Sequence, residues 1–495
     1  MQKTNLAVKI NASDNVAVML QDVQKGIEIF GIAATDKIPR GHKMALCDIA
    51  KGQDIIKYGY AIGHTTADIS AGSHVHTHNL RTNLRDLLDY EYQPEDVPPF
   101  PERKGTFRGY VREDGLIGIR NEIWIVNTVG CVNKIAERIA KIANDRWGSR
   151  VDGIFTFVHP YGCSQLGDDH THTQNVLANM AKHPNAGGVL VLGLGCENNN
   201  IPEFKQVLGS WDENRVKFLN AQDVDDEVAA GLEMIEKLVQ YAEKFVRQDV
   251  CISNLTIGLK CGGSDGFSGI TANPLVGRIS DEIIAHGGTA ILAEVPEMFG
   301  AETILMNRCE SEEVFNRTVK LINDFKQYFI KHDQQIYENP SPGNKDGGIS
   351  TLEDKSLGCT QKGGTSHVVD VLNYGEAVRK HGLNLLQGPG NDIVAVTNLA
   401  AAGAHIILFT TGRGTPLGGP VPTVKISSNT ALSAKKSHWI DYDAGVLLNG
   451  DAARLENVTS DFLAYLLRLA SGKTQAKNEE NDYREISIFK DGVTL

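Results

Sequence analysis

The sequence predicts a multidomain α/β protein in which a small N-terminal β domain is followed by two α/β domains with mainly parallel sheets. Three observations support this fold class. The first 91 residues consist of short strand-like runs separated by turns. From about residue 106 onward, apolar runs alternate with helical stretches, which is typical of βαβ units. A proline-rich stretch separates these two regions, and a length of 495 residues suits two to four domains.

The domain boundaries follow from these changes of pattern. Residues 1–91 form the predicted β domain, residues 92–105 a linker, residues 106–249 the second domain and residues 250–495 the C-terminal domain. The linker is the clearest of the boundaries, because it holds four prolines and shows no apolar periodicity.

Composition limits the classes of function. Hydrophobic residues make up 41% and charged residues 22% of the chain, as in ordinary globular proteins, and the formal net charge is -12. An acidic chain is a poor match for nucleic acids and anionic membranes. The N-terminus lacks the apolar core of a signal peptide, and no apolar run approaches the ~18 residues of a membrane span. We therefore expect a cytoplasmic protein that binds a small molecule and that binds neither nucleic acid nor membranes. Whether it forms a homo-oligomer stays open.

The stretch S-H-V-H-T-H-N at residues 73–79 places three histidines at every second position. In a strand these side chains point to one face, and the neighbouring glycine, valine and asparagine favour a strand that ends in a turn. Three neutral imidazoles on one face suit a divalent metal such as Fe, Mn or Zn. The alternative is an exposed edge strand with incidental histidines. The candidate metal ligands are His74, His76 and His78.

The α/β region contains six apolar runs that predict buried strands, with helical stretches between them. An acidic amphipathic helix is predicted at about 223–247. The segment 337–364 is rich in Gly, Pro, Asn and Lys, and it is predicted to be a long loop of the kind that serves as a lid. The six predicted strands are 123–129, 153–158, 188–194, 255–259, 383–386 and 405–411.

Four cysteines, Cys131, Cys163, Cys196 and Cys261, lie just after predicted strands. Ligands of open α/β sheets bind outside the carboxyl ends of the strands, so these loops are expected to line one site. Two interpretations of the sulfurs stay open. They ligate an iron–sulfur cluster, although their spacing matches no local cluster pattern, or they are small buried thiols in tight glycine–cysteine turns. The role of Cys359 stays open as well, and no disulfide framework is expected.

Two glycine-rich segments provide the candidate substrate-binding groups. C-G-G-S-D-G-F-S-G-I-T-A-N-P (261–274) can bring backbone N–H groups close to an anion, and G-R-G-T-P-L-G-G (412–419) adds a guanidinium that can pair with a carboxylate. Neither segment matches the glycine pattern of a dinucleotide-binding loop or the Walker phosphate-binding loop. A polyhydroxylated carboxylate is therefore a better candidate for the ligand than a nucleotide. The candidate substrate-binding residues are Gly262, Gly263, Ser264, Asp265, Asn273, Lys362 and Arg413.

Three residues are candidates for proton transfer. His42 and Lys43 lie in the G-H-K stretch of the β domain, and His170 lies in Y-G-C-S-Q-L-G-D-D-H-T-H-T (161–173). A packed structural histidine and a solvated lysine are the alternatives for the first two, and a hydrogen-bonding partner of another group is the alternative for His170. The chain shows no G-x-S-x-G motif and no evident Ser-His-Asp arrangement.

Nine long motifs occur in order along the chain: G-H-K-M-A-L-C-D-I-A-K-G, I-K-Y-G, S-H-V-H-T-H-N, Y-G-C-S-Q-L-G-D-D-H, G-L-G-C-E-N-N, C-G-G-S-D-G-F-S-G-I-T-A-N-P, N-P-S-P-G-N-K, S-L-G-C-T-Q-K-G-G and T-T-G-R-G-T-P. Together they resemble the altronate dehydratase / galactarate dehydratase family. The resemblance runs essentially from end to end and includes the tail N-D-Y-R-E-I-S-I-F-K-D-G-V-T-L.

This resemblance implies an N-terminal SAF-type β domain of the β-clip kind, a family-specific second domain and a C-terminal α/β domain. It also implies a lyase that removes water from a sugar acid, with Fe(II) as the usual metal and Mn(II) as a helper. The H-V-H-T-H-N and G-D-D-H stretches look like the altronate branch. The expected reaction is therefore the conversion of D-altronate to 2-keto-3-deoxy-D-gluconate and water in hexuronate (galacturonate) catabolism.

The candidate residues suit this chemistry. Dehydration of an aldonic acid requires a base for the C2 proton, an acid for the departing C3 hydroxyl and a Lewis acid that stabilises the negative charge at the carboxylate. Three alternatives stay open: dehydration of another aldonic or aldaric acid such as galactarate, a hydrolase, and a non-catalytic sugar-acid binding protein. The lack of a nucleophile triad argues against the hydrolase. Because the metal must contact the substrate, we expect a site shared between the β domain and the α/β body.

Overall fold

The computed structural model describes residues 2–85, 87–449 and 452–495, and it confirms the predicted fold class. A small antiparallel β region is followed by a four-stranded and a seven-stranded sheet in which all strand pairs are parallel. In the part of the chain that is described, no helix is long and apolar enough to cross a membrane.

The N-terminal region contains a five-stranded sheet, a three-stranded sheet and a two-stranded hairpin, all antiparallel. Its small core consists of apolar side chains, many of them β-branched. Among these, Val16, Ile55, Ile62 and Val75 are fully buried. The strands are β1 (Gln2–Lys3), β2 (Ala7–Lys9), β3 (Val16–Met19), β4 (Glu28–Ile29), β5 (Ile32–Ala33), β6 (Lys43–Ala45), β7 (Asp54–Lys57), β8 (Tyr60–Thr65), β9 (His74–Val75) and β10 (Leu80–Arg81). The sheet orders are β1-β2-β3-β6-β9, β10-β8-β7 and β4-β5.

The predicted strand over residues 73–79 is wrong beyond its first residues, because β9 ends at Val75. The side chain of Asn79 accepts a hydrogen bond from the His76 N–H at 3.0 Å and donates one to the His74 carbonyl at 2.9 Å. These bonds close a turn in which the last two histidines lie. Asparagine side chains commonly compete with a strand ladder in this way.

The proline-rich segment 92–105 has no regular structure, and it lies along the body of the molecule, where the Tyr92 hydroxyl donates to the Cys309 carbonyl at 2.7 Å. After it, three strands form a small antiparallel sheet in the order β12-β11-β17, namely β11 (Thr106–Val111), β12 (Ile117–Gly118) and β17 (Arg247–Cys251). The last of these strands crosses the boundary proposed between residues 249 and 250, and that division stays a prediction.

The four-stranded parallel sheet has the order β14-β13-β15-β16. Its strands are β13 (Glu122–Asn127), β14 (Ile154–Thr156), β15 (Ala186–Gly193) and β16 (Val216–Asn220). Its helices are α1 (Asn133–Trp147), α2 (Gly167–Lys182), α3 (Ile201–Leu208) and α4 (Glu227–Ala242). The helix predicted at about 223–247 is shorter at both ends, because the Asp226 side chain caps it and β17 begins soon after it.

The seven-stranded parallel sheet has the order β20-β21-β19-β18-β22-β23-β24. Its strands are β18 (Thr256–Cys261), β19 (Thr289–Leu292), β20 (Val368–Leu372), β21 (Gly382–Leu386), β22 (Ile406–Thr411), β23 (Thr423–Ser427) and β24 (Tyr442–Asp443). The helices of this part are α5 (Ala272–Ala285), α6 (Glu302–Met306), α7 (Glu312–Lys331), α8 (Pro342–Asp346), α9 (Leu352–Cys359), α10 (Asp392–Ala401), α11 (Thr430–Lys435), α12 (Ala452–Ala470) and α13 (Lys477–Glu480).

The prediction of a long loop or lid at residues 337–364 is wrong. Two short helices, α8 and α9, lie in this segment, and every residue of α9 is buried. The composition misleads here because Ser341 and Thr351 cap the two helices, so the polar residues that suggest a loop serve as helix starts.

Candidate active site

Helix α9 is the element around which the candidate site is arranged. It carries three consecutive charged residues, Glu353, Asp354 and Lys355, and all three are buried. Buried charges require partners. Glu353 accepts hydrogen bonds from the Thr82 hydroxyl at 2.9 Å and from the Asn83 N–H at 2.6 Å, which ties the helix to the N-terminal β region.

Asp354 lies between two lysines of the N-terminal β region. Its two carboxylate oxygens are each 2.8 Å from an ammonium, one of Lys43 and one of Lys57, and neither lysine is more than 2% exposed. Burial opposes ionisation of Asp354, but the two ammonium groups outweigh it and hold the pKa of the carboxyl well below its usual range. Burial lowers the pKa of Lys43 to about 8, although Asp354 opposes the shift. Lys43 also donates to the Gly348 carbonyl at 2.7 Å.

Four imidazoles, those of His42, His74, His76 and His78, form a histidine cluster beside this group. The ring centroid of His42 lies 5.1 Å from that of His74 and 4.7 Å from that of His76. The ring centroids of His74 and His78 are 5.2 Å apart. Burial lowers the pKa of His74 to about 4 and that of His76 to about 3. Both rings are therefore neutral near pH 7, which is the form that binds metals. The predicted convergence of the histidines is present, although a turn produces it.

The hydrogen bonds of the histidine cluster leave ring nitrogens facing one another. Nε2 of His42 lies 3.2 Å from the Asp346 carbonyl, which can only accept, so a neutral His42 presents a lone pair at Nδ1. That atom lies 3.0 Å from Nε2 of His74. Nδ1 of His76 contacts the Ser350 hydroxyl at 2.8 Å, and this contact does not use its Nε2. Metal-binding histidines commonly hold one nitrogen on a carbonyl or hydroxyl in this manner.

Close backbone contacts hold the G-H-K stretch against the body. A Cβ atom added at Gly266 would lie 2.1 Å from the Gly41 carbonyl oxygen, and one added at Gly348 would lie 2.2 Å from the same oxygen. Only glycine permits such an approach. The cluster of histidines and lysines is therefore fixed at an interface between the β region and the α/β body.

A second polar cluster lies at the other end of α9. Glu297 accepts from the thiols of Cys261 at 2.8 Å and of Cys359 at 3.2 Å, and the two sulfurs are 3.3 Å apart. We call these three residues the thiol–carboxylate cluster. Their ligand atoms all lie within 4.8 Å of one another, a spacing that could hold a metal ion. The Lys355 ammonium lies 2.6 Å from the Glu297 carboxylate. Since Lys355 directly follows Asp354 in α9, the helix connects the two clusters.

Two further lysines and a strained glutamate surround the thiol–carboxylate cluster. Glu294 has the left-handed φ of 71°, unusual for a residue with a side chain, and such strain occurs often at functional sites. It accepts from the Cys261 N–H at 2.9 Å and from Lys362 at 3.4 Å, and it contacts Lys260. The hydrogen bond to Cys261 and then burial raise the pKa of the Cys359 thiol, which therefore keeps its proton.

The glycine-rich segment 261–274 is largely buried apart from the exposed Gly263, and two of its predicted substrate-binding side chains have structural partners. Asp265 accepts from the hydroxyls of Ser268 at 3.0 Å and Ser428 at 2.7 Å. Asn273 donates to the Gly358 carbonyl at 2.9 Å. Ser264 is the exception, because its buried hydroxyl has no hydrogen-bond partner. It borders a small cavity of about 10 Å³ that Asp354, Lys355 and Cys359 also line. Gly262 and Gly263 lie in the same turn and offer no side chain.

Three other predicted site residues occupy different positions. Arg413 is exposed, and its Nε lies 3.5 Å from the Cβ position of Gly343 in α8, the helix whose last carbonyl contacts His42. Arg413 and His42 therefore contact opposite ends of the same short helix. Lys362 is buried and paired with Glu294. His170 lies in α2 beside the four-stranded sheet, 3.5 Å from Glu203, with no contact to the histidine cluster.

The expectation that four strand-end cysteines line one site is wrong for Cys261. It ends β18 of the seven-stranded sheet and is buried, whereas Cys131, Cys163 and Cys196 follow strands of the four-stranded sheet and are exposed. The interpretation of these three as small buried thiols is also wrong.

Several residues of the site were absent from the sequence-based candidates: Lys57, Lys260, Glu294, Glu297, Asp354 and Lys355. Two signals could have found some of them. Lys57 belongs to the I-K-Y-G motif, and the triplet E-D-K directly precedes S-L-G-C-T-Q-K-G-G. Charged residues inside otherwise apolar or motif-rich stretches are candidates for burial with partners.

Family models match along its length: "Altronate/galactarate dehydratase SAF domain" at residues 5–83, "D-galactarate dehydratase/Altronate hydrolase, second domain" at 109–243, and "D-galactarate/Altronate dehydratase, C-terminal" at 252–494. Altronate dehydratases of Bacillus subtilis (strain 168) and Escherichia coli (strain K12) are each 55% identical to it over 99% of both chains. A galactarate dehydratase (L-threo-forming) of Escherichia coli (strain K12) is 33% identical over 98% of this chain and 97% of its own.

Proposed function

The chain belongs to the D-galactarate/altronate dehydratase family, and from that premise we propose that it is a hydro-lyase that converts D-altronate to 2-keto-3-deoxy-D-gluconate and water. Identity of 55% to two altronate dehydratases, against 33% to a galactarate dehydratase, favours altronate over galactarate. We place the reaction in hexuronate catabolism in the cytoplasm, with a small sugar acid as partner. The divisions 1–91, 92–105, 106–249 and 250–495 remain our proposed domains.

The observation that carries this proposal is the position of Lys43. Its buried ammonium is paired with Asp354 and lies beside the histidine cluster, where it contributes to the lowered pKa of His76 after burial itself. A lysine with a pKa of about 8 is neutral in roughly a tenth of the molecules at pH 7, which suits a general base. The site thus combines a base with metal-binding groups at one interface.

We assign the metal to the histidine cluster rather than to the thiol–carboxylate cluster. His42, His74 and His76 would hold the metal, with His78 at the exposed edge. The thiol–carboxylate cluster has suitable spacing, but Glu297 is already paired with Lys355, and the Cys359 thiol keeps its proton. A cation there would have to displace an ammonium and a proton. A bound Fe(II) or Mn(II) supplies Lewis-acid stabilisation of the negative charge that develops at the substrate carboxylate.

The residues of the chain supply the proton transfers. Lys43 takes the proton from C2 as a neutral amine, and the electron pair forms the C2–C3 double bond as the C3 hydroxyl departs. The ammonium formed is the nearest acid, and its proton leaves with the hydroxyl as water, which regenerates the amine. The enol product then becomes the 2-keto acid. Asp354 and Lys57 keep Lys43 in place through their ion pairs. We assign His42 to the metal, and His170 has no role in this step.

We propose that the substrate carboxylate lies toward Arg413. This guanidinium borders α8 at the end opposite to the carbonyl that contacts His42. An exposed arginine is free to pair with an incoming carboxylate in a bidentate manner, whereas Lys362 is committed to Glu294. Asp265 and Asn273 support the loops beneath the site through their structural hydrogen bonds.

One assay tests the function. The purified protein with Mn(II) or Fe(II) is incubated separately with D-altronate and galactarate, and the formation of a 2-keto-3-deoxy acid is followed while calorimetry measures binding. We expect product from altronate at a kcat/KM well above that for galactarate. The reverse order would identify a galactarate dehydratase. Binding of altronate without any 2-keto product would overturn the proposal in favour of a binding protein.

A further inference from the structure

The loops after three neighbouring strands each carry a glycine–cysteine pair. Strands β14, β13 and β15 are adjacent and parallel, and Cys163, Cys131 and Cys196 follow them in that order. All three thiols are exposed at the carboxyl edge of the sheet, where α/β proteins bind ligands. None of the three takes part in the proposed dehydration site. We call this group the three-thiol edge.

Hydrogen bonds hold the three loops against one another. The N–H of Gly130 donates to the Tyr161 carbonyl at 2.9 Å, and the N–H of Asn199 donates to the Gly162 carbonyl at 3.0 Å. A Cβ atom at Gly162 would lie only 1.9 Å from the Thr128 carbonyl oxygen, so the loop after β14 is pressed onto the loop after β13. The residues directly before Cys131 and Cys163 are thus fixed in place. The three thiols are therefore presented by rigid backbone.

Buried polar atoms without partners lie in the same loops. Asn199 is completely buried, and its Oδ1 accepts no hydrogen bond, although its Nδ2 donates to the Thr128 carbonyl. Gln165 is 4% exposed, and its Nε2 has no acceptor, although its Oε1 accepts from the Gly162 N–H. Unpaired buried groups are costly and commonly indicate an ion, a water or a bound group.

The three thiols do not have the spacing of a single-ion site. Within the described residues, the group of Cys, His, Asp or Glu whose ligand atoms all lie within 4.8 Å is the thiol–carboxylate cluster, so the three sulfurs of this edge do not all lie that close together. An iron–sulfur cluster is a larger group than a single ion. Thiolates are the ligands of iron–sulfur clusters, and donors to their sulfurs tune such sites. Gln222 already places its Nε2 3.6 Å from the Cys196 sulfur.

We propose that Cys131, Cys163 and Cys196 bind an iron–sulfur cluster as thiolates. Three protein ligands would leave one metal of a four-iron cluster without a cysteine, and that metal would be able to take an oxygen ligand. Open positions of this kind are the mark of reactive rather than purely structural metal sites. The site is separate from the histidine cluster and does not depend on the metal assigned there.

Anaerobic reconstitution of the full chain with Fe(II), sulfide and a thiol reductant tests this site. After desalting, iron, acid-labile sulfide and visible absorption are measured. We expect about four irons and four sulfides per chain. We expect Cys131→Ser, Cys163→Ser and Cys196→Ser each to lose most of the sulfide and the absorption. The matched control is Cys251→Ser, an exposed cysteine in β17, which retains both.

A second measurement needs no variant. Alkylation followed by mass spectrometry compares the apo and the reconstituted chain, and the three thiols become protected while Cys47 and Cys251, both exposed, do not. Uptake of iron without sulfide, or equal sulfide in a triple Cys→Ser variant and the parent, would overturn the proposal. Because the readouts are bound sulfide and thiol protection, they are independent of dehydratase activity.

Discussion

The two polar clusters at the ends of α9 both contain good metal-binding atoms, yet their electrostatics differ. In the histidine cluster, burial keeps the imidazoles neutral, and their hydrogen bonds turn ring nitrogens toward one another. In the thiol–carboxylate cluster, the carboxylate of Glu297 is paired with Lys355, and the hydrogen bond to Cys261 and then burial raise the pKa of the Cys359 thiol. The histidine cluster consists of neutral ring nitrogens that face one another, whereas the carboxylate of the other cluster is paired with a protein cation.

This contrast shows that the spacing of donor atoms does not by itself make a metal site. Three ligand atoms within 4.8 Å occur at Cys261, Glu297 and Cys359, but the charges around them are already compensated by protein cations. Buried ion pairs are expensive to break one partner at a time. We therefore regard the thiol–carboxylate cluster as the packed support of α9, and the histidine cluster as the place where a cation enters.

The largest expected effect is that of removing the metal from the histidine cluster, which should abolish dehydration altogether. We expect His76→Ala to weaken Mn(II) binding by at least ~100-fold, because even the loss of an outer hydrogen-bond partner of a ligand costs 10–100-fold. Mn(II) titration followed by electron paramagnetic resonance measures this directly and is not confused by iron–sulfur clusters. Exhaustive chelation should abolish dehydration, and Fe(II) or Mn(II) should restore it.

Two variants sharpen this comparison. Glu297→Gln alters the thiol–carboxylate cluster, and His64→Ala removes a histidine of β8 whose Nδ1 contacts Asn83 at 2.7 Å rather than the histidine cluster. Both should retain Mn(II) affinity within a few-fold. If Glu297→Gln lowers the Mn(II) affinity more than His76→Ala does, the metal binds at the thiol–carboxylate cluster and our assignment is wrong.

The next effect concerns the two lysines that share Asp354. Lys43→Met keeps the length of the side chain but removes the proposed base, and we expect kcat to fall by about 10³-fold, within the usual range for a lost general base. Lys57→Met removes the other ammonium of the same carboxylate and is the matched control. Steady-state kinetics, normalised to folded protein by circular dichroism, measures the difference.

Both variants leave Asp354 with one lysine, so both should lose stability to a similar extent. Only the substitution at Lys43 should remove catalysis in the fraction that stays folded. Equal kcat values for the two variants would mean that the ion-pair network, and not the amine of Lys43, is what the reaction requires.

The third effect tests whether the site is shared between the β region and the body. Gly266→Ala places a Cβ 2.1 Å from the Gly41 carbonyl oxygen and must push the G-H-K stretch outward. A displacement of ~1 Å at a catalytic group can cost 10²-fold, so we expect a loss of this size in kcat/KM. Gly26→Ala, with φ +88° and open space around it, introduces backbone strain without contact to the body and is the control.

Separate expression of residues 1–91 and 106–495 gives an independent test of the same interface. We expect activity only after the fragments are mixed, and His42→Ala in the small fragment should then prevent it. Full activity of the folded 106–495 fragment alone would show that the β region is dispensable.

The elements that the sequence predicts well are those set by local pattern. The strand β15 is apolar over its whole length and was predicted within two residues at each end. The spacing of His74, His76 and His78 predicts their convergence because they are near neighbours in sequence, whereas nothing in the sequence predicts that His42 joins them. In contrast, the composition of α9 predicts a loop, because Glu353, Asp354 and Lys355 are buried only by partners from distant parts of the chain. Ion pairs between residues far apart in the chain produce no periodic pattern of residue types in the sequence.

The smallest expected effect concerns Arg413, which is exposed and lies beside the start of α8. Had it been buried and paired, its loss would cost several kcal/mol. Because solvent screens an exposed guanidinium, we expect Arg413→Ala to raise KM for altronate by about tenfold, or about 1.4 kcal/mol, with kcat nearly unchanged. Lys345→Ala, in the same helix α8, is the matched control and should change KM less. Arg413→Lys should recover part of the loss, because an ammonium keeps the charge without the bidentate geometry. An unchanged KM for Arg413→Ala would move the carboxylate toward Lys345 and away from the loop 412–419.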